Sequence, residues 1–222
     1  MKTLIFLFAG LVFFLSVRAQ KPVDTDSLVR EICLTAEYDA ASTDSETISK
    51  AFSTHLRYYK ERMSEKNFLK LSDRCFYRAQ TICPAIKNRI NKIMEKESLA
   101  LGWRTVDKEP RGEADLKECA SFFKTGRLWY FNGEKDTAFV DITDSSWTDH
   151  FSDGTWSRLS LKQYNPCEFI ITFRESNNVI RSAMSKPGDQ YRYSIIKKVG
   201  NYYEVFTQRV GQPMMSVFRM YE

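Results

Sequence analysis

Between Cys119 and Tyr221 the chain is a succession of short, aromatic-rich segments cut by turn dipeptides at nearly regular intervals. The dipeptides are Asn132-Gly133, Asp153-Gly154, Asn165-Pro166, Pro187-Gly188, Gly200-Asn201 and Gly211-Gln212. Gly and Asn tolerate the positive φ of tight hairpin loops, and Pro with Gly punctuates looser turns. The segments between them alternate. In Cys167 to Arg174 the odd positions form one apolar face, and Tyr191, Tyr193 and Ile195 alternate with Arg192 and Ser194. A period of two puts one face inward and the other in water, as in an antiparallel meander. The strands expected are 126–132, 135–143, 146–152, 155–163, 167–175, 189–198, 202–210 and 213–221, the second and third separated only by the weak break Asp144-Ser145-Ser146. Most of the chain's aromatic residues fall here, which suits strands. Seven or eight such strands are too many for a flat sheet with one covered face, so they should curl into a barrel or half-barrel.

The preceding region has a different period. Residues 24–98 carry apolar side chains at spacings of three and four: Val29, Ile32, Cys33 and Ala36; then Ile48, Phe52, His55 or Leu56, Tyr59 and Met63; then Phe68, Leu71, Cys75, Ala79 and Ile82. Asp26 or Ser27, and Asp44 or Ser45, can cap the first two helices. The third pattern continues through Ile86, Ile90 and Ile93, with Pro84 either kinking that helix or opening a fourth at its first turn. Amphipathic helices of this kind need partners, so a three- or four-helix bundle is expected. The fold class is therefore α+β. Residues 20–98 form the helical domain, 99–117 a linker interrupted by Gly102, Pro110 and Gly112, and 118–222 the β-domain.

Residues 1–19 read as a signal peptide. Lys2 is a basic start, Leu4 to Leu15 an apolar run too short to span a bilayer, and Val17-Arg18-Ala19 places cleavage before Gln20. A secreted or periplasmic protein follows, in a compartment where disulfides persist. The five cysteines are Cys33, Cys75, Cys83, Cys119 and Cys167, an odd count that leaves one thiol over. Cys75 and Cys83 on one helix would lie roughly 12 Å apart along its axis, beyond what a disulfide tolerates. Cys33 then pairs with Cys83 or Cys75, and Cys83 is favoured because Pro84 fixes where the helix turns. Cys119 and Cys167, each at the start of a strand of a rolled meander, form the second expected bridge.

The formal charge of +5 is spread over both halves with no basic block, so nucleic acid is a poor partner class. The basic, amphipathic segment from Lys87 to Lys96 suits a membrane surface, but the solvated face of a bundle helix explains it more simply, so a membrane partner is disfavoured. The histidines, His55 and His150, have no nucleophile beside them, and no Gly-x-Ser-x-Gly, His-Glu-x-x-His, P-loop or Cys-x-x-Cys occurs. No catalytic residue and no cofactor is assigned. Asp141, Asp144, Asp149 and Asp153 offer oxygen ligands without EF-hand spacing and read as turn and strand-end residues rather than a metal site.

Two functions compete. In the first, a non-enzymatic binding protein holds a small apolar or amphipathic ligand in the β-domain, walled by Trp129, Trp147, Trp156, Tyr191, Tyr193 and Phe206. In the second, the same aromatics fill the barrel and the helical bundle docks a protein partner.

Three runs carry a resemblance: Cys119 with Phe123-Lys124-Thr125-Gly126-Arg127-Leu128-Trp129-Tyr130; Pro166-Cys167-Glu168-Phe169-Ile170-Ile171-Thr172; and Pro187-Gly188-Asp189. They resemble small secreted proteins of Gram-negative bacteria with a Cys-containing helical N-terminus and a lipocalin-like C-terminal β-domain. Gln20 after an alanine, and Ile82-Cys83-Pro84, fit the same group. The resemblance implies export and fold and carries no activity with it. True lipocalins open with Gly-x-Trp; here Gly126-Arg127-Leu128-Trp129 has one residue more, so a lipocalin ligand is not implied.

Overall fold

Among the described residues four helices come first, the first two each started by a side chain that satisfies free backbone N–H groups. The computed structural model describes residues 23–39, 43–133 and 136–222, so the expected signal peptide lies outside the described residues. Helix α1 (Thr25–Tyr38) is capped by Asp24, whose carboxylate accepts from the Asp26 N–H. Helix α2 (Asp44–Lys60) starts with a capping box, Thr43 with Glu46. The reciprocal bonds of such a box satisfy two donors that would otherwise point at nothing. Helix α3 (Glu65–Ile82) ends at Cys83, and α4 (Pro84–Ala100) begins with its proline at the first position. Pro84 thus opens a fourth helix, where its missing N–H costs no bond. Their shared core holds Val29, Ile32, Ala36, Ala51, Leu71, Ala79 and Ile86, closed by the Cys33–Cys83 disulfide with Cα atoms 5.5 Å apart. Cys75 is the free, buried thiol.

Helix α4 ends in a Schellman motif. The Trp103 N–H donates to the Ser98 carbonyl at 2.8 Å and the Gly102 N–H to that of Leu99 at 3.0 Å. Gly102 has φ +81°, a conformation glycine adopts without a Cβ penalty. The turn sends the chain onto the barrel through β1 (Arg104–Val106), a short strand inside the expected linker. Helix α5 (Leu116–Lys124), with its own capping box of Asp115 and Glu118, follows.

Eight strands then run as an up-and-down meander: β2 (Arg127–Gly133), β3 (Asp136–Ile142), β4 (Ser146–Phe151), β5 (Trp156–Asn165), β6 (Glu168–Ser176), β7 (Gln190–Val199), β8 (Tyr202–Arg209) and β9 (Met215–Tyr221). Each pairs antiparallel with the next, and β9 returns to β2 through Trp129↔Tyr221, so the barrel closes rather than stopping at half. Strand β1 pairs with the other end of the same β9 edge, at Arg104↔Val217. Helix α6 (Val179–Met184) lies in the β6–β7 connection.

The barrel's two ends are closed differently. Helix α5 plugs one: Phe122 is fully buried, its ring 5.8 Å from that of Phe169 and 5.2 Å from that of Tyr203. The Cys119–Cys167 disulfide, Cα atoms 5.1 Å apart, fastens this plug to the start of β6. At the other end α3, α4 and α6 lie across the mouth.

Candidate cavity between barrel and helices

Strand phase decides which side chains enter the barrel. On β2 the even residues Leu128 and Tyr130 point in, on β4 the odd residues Trp147 and Asp149, and on β8 the odd residues Tyr203 and Val205. The lower barrel is packed by Phe169, Leu161, Ile195 and the α5 plug. Above this packing lies a cavity of about 380 Å³, bounded below by barrel residues and above by α3, α4 and α6.

Three of the six expected ligand-binding residues, Trp147, Tyr191 and Tyr193, line it. The other three do not, because their strand phase faces them outward. Trp129 stacks on Tyr221, ring centroids 4.3 Å apart, and Trp156 lies under the Arg158 guanidinium at 4.2 Å. Phe206 is buried, but in a separate outer cluster with Ile196 and Val217, against Val106 of β1.

The cavity's remaining walls come from segments that read otherwise in the sequence. Trp103, just past α4, stacks on Phe218 at 4.3 Å with ring planes 9° apart. Its indole N–H donates to the Phe131 carbonyl at 2.7 Å. Lys87, Ile90 and Met94 of α4 and Arg181 and Met184 of α6 complete the roof. Arg181 donates to the Asn132 amide oxygen and sits 5.2 Å above the Phe151 ring.

The charged groups among the cavity's polar lining are unequal. Asp149 is 8 % exposed and accepts from the Trp147 indole N–H at 3.0 Å and the Tyr130 hydroxyl at 3.4 Å. Burial pushes its pKa above the usual carboxylate range despite those donors and the nearby positive charge of Arg181. Burial likewise raises the Tyr130 and Tyr193 hydroxyls, so both remain neutral donors. Lys87 is half-buried and is one of the residues lining the cavity. Desolvation lowers its pKa, and repulsion from Arg181 lowers it further.

Both histidines lie elsewhere. His55 Nε2 shares a 2.7 Å hydrogen bond with the Thr35 hydroxyl on the helical domain, and His150 pairs with Asp141 on the barrel's outer face. Asp153, at the β4–β5 turn, accepts from the Thr155 N–H at 2.9 Å. Among the described residues no group of three His, Cys, Asp or Glu side chains is placed to hold a metal ion.

Comparison of the chain with protein-family models, with curated proteins and with solved structures finds no match.

Proposed function

We propose that the protein is a secreted or periplasmic, non-enzymatic binding protein whose barrel holds one small apolar or amphipathic ligand beneath its helical domain. The cavity of about 380 Å³ carries this reading, because an eight-stranded barrel can be filled by its own side chains and this one is filled only in its lower half. Its size falls in the range of small-molecule sites, and its lining divides about evenly between aromatic or aliphatic residues and polar ones, which suits an amphipathic ligand. Neither histidine reaches it, which favours binding over hydrolysis. The two disulfides suit an oxidising compartment, and the resemblance to exported bacterial proteins points the same way. The competing reading, a filled barrel serving as a scaffold for a protein-docking bundle, has no use for an open chamber at this place.

Native mass spectrometry of protein purified gently from its own host tests this reading. The expected spectrum shows the chain with one small molecule that leaves on denaturation. Recovery of the bare chain alone counts against a carrier.

A further inference from the structure

The cavity's charges are not balanced among themselves. Asp149, its buried acid, already has two donors, the Trp147 indole and the Tyr130 hydroxyl. The Lys87 ammonium has no hydrogen-bond or ion-pair partner among the described residues, although it lines the same space. Arg181 spends its guanidinium on a neutral amide and an aromatic face; it is attracted to Asp149 through space but has no carboxylate within ion-pair distance among those residues. Glu97 also borders the cavity but is exposed, ten residues along α4 and so about 15 Å from Lys87 along the axis. A cation withdrawn from water without a partner is costly, and two that repel each other are more so. Both costs fall if an anion lies between them.

We propose that the cavity binds an amphiphile with one anionic head, held between Lys87 of the helical domain and Arg181 of α6, its apolar tail directed towards Trp147, Ile171 and Phe218. This assignment rests on the carrier reading above and adds the ligand's charge and orientation. It also gives the helical domain a share in the site, since Lys87 belongs to α4 and not to the barrel. A barrel without its cap would retain the apolar floor and lose half of the head-group contacts. A cationic ligand is the poorer fit, because Asp149, the one buried acid among the described residues, is already satisfied by fixed donors and Arg181 would oppose the ligand's charge.

Three twelve-carbon probes separate the outcomes when titrated into the full chain below their micelle-forming concentrations, with tryptophan fluorescence and calorimetry as readouts. They are dodecanoate, dodecan-1-ol and dodecyltrimethylammonium. Dodecanoate is expected to bind about tenfold or more tightly than the alcohol, the scale of one charge-assisted hydrogen bond. Lys87→Met should remove about that factor for dodecanoate, leave the alcohol's affinity unchanged and preserve the far-UV circular dichroism. Lys87→Arg should restore it. Equal binding of acid and alcohol, or tightest binding of the trimethylammonium probe, overturns the head-group assignment and leaves the carrier reading standing. Failure of all three probes to bind overturns both.

Discussion

Arg78, on α3, and Asp189, on the approach to β7, meet at 2.8 Å with the arginine side chain 4 % exposed. The same guanidinium grips Asp26 of α1 through two further bonds, of 2.7 and 3.1 Å, and donates to the Met184 carbonyl at the end of α6. Asp189 in turn accepts from Arg209 at 2.7 Å, and Asp26 from Lys186 at 2.8 Å. One buried arginine therefore joins the helical domain, the α6 segment and the barrel, and it holds the roof over the cavity.

Removing that arginine should uncouple the two halves. Arg78→Met removes the partner Asp26 and Asp189 share but leaves them Lys186 and Arg209, so the cost should fall below the roughly 3–5 kcal/mol of a buried charge left with no partner. Urea unfolding followed by circular dichroism should show that loss, and cavity binding should weaken with it. Asp149, within the barrel, keeps its hydrogen bonds.

The same network sets an acid limit. Burial pulls Asp26 upward, but its hydrogen bonds to Arg78 and Lys186 outweigh this and bring it down to about 2; Asp189 is lowered as well. A carboxylate lowered on folding contributes stability that is fully present above its unfolded value near 3.8 and is lost as pH falls through the folded value. Wild type should therefore lose stability between about pH 4 and pH 2, and Arg78→Met should show a flatter curve over that window. Equal slopes for the two proteins would show that the network contributes nothing to acid sensitivity.

The thiols offer a direct chemical test. Peptide mapping without reduction should yield Cys33–Cys83 and Cys119–Cys167, with Cys75 free. Burial pushes the Cys75 thiol up to about 12, so it should ignore alkylating reagents until the chain is denatured. Replacing Cys119 and Cys167 together by Ala should cost up to about 4 kcal/mol, the chain-entropy figure for a loop of this length, and loosen the α5 plug first.

Much of this architecture was legible because period carries geometry. Alternation located the eight barrel strands, and three-and-four spacing located the faces of α1 to α4. The cysteines followed, since helix rise alone forbids Cys75–Cys83. The cavity was harder, because aromatic type says nothing of strand phase: Trp147 and Trp156 look alike in sequence, yet they lie nine residues apart and face opposite sides of the wall. Reading the phase of each strand would have separated Trp129 and Phe206 from Tyr130 and Tyr193. Lys87 could not be found this way. On a basic helix it resembles any solvated lysine, and only the placement of α4 across the barrel mouth turns it inward. Trp103 was hidden in the segment read as a linker, and α6 by its six-residue length.

Asp149 should cost stability at neutral pH. A buried acid whose pKa is raised on folding holds its proton more tightly in the native state, so its penalty grows as pH rises from the unfolded value through the folded one. Asp149→Asn keeps an acceptor for the Trp147 and Tyr130 donors and removes the charge. The variant should be more stable than wild type at pH 7, with the difference shrinking as the solution is acidified below pH 4. Paired denaturation curves at the two pH values check this. A variant less stable than wild type at pH 7 would mean that the attraction of Arg181 outweighs burial.

Trp103 is the contact through which the end of α4 is seated on the barrel. Its ring lies flat on Phe218 and edge-on to Tyr130, and its N–H satisfies the Phe131 carbonyl. Trp103→Ala removes a large aromatic surface and leaves that carbonyl to water, and because the residue is only half-buried the loss should lie near the low end for such changes, about 3 kcal/mol. Trp103→Phe keeps the stack and loses only the hydrogen bond, which places it about 1 kcal/mol below wild type. Urea denaturation of the three proteins orders them. If Trp103→Ala proves as stable as wild type, the Phe218 stack does not hold α4 in place, and the cavity's roof is held by the Arg78 network and by polar bonds such as Arg181 to Asn132 and Asn91 to Thr105.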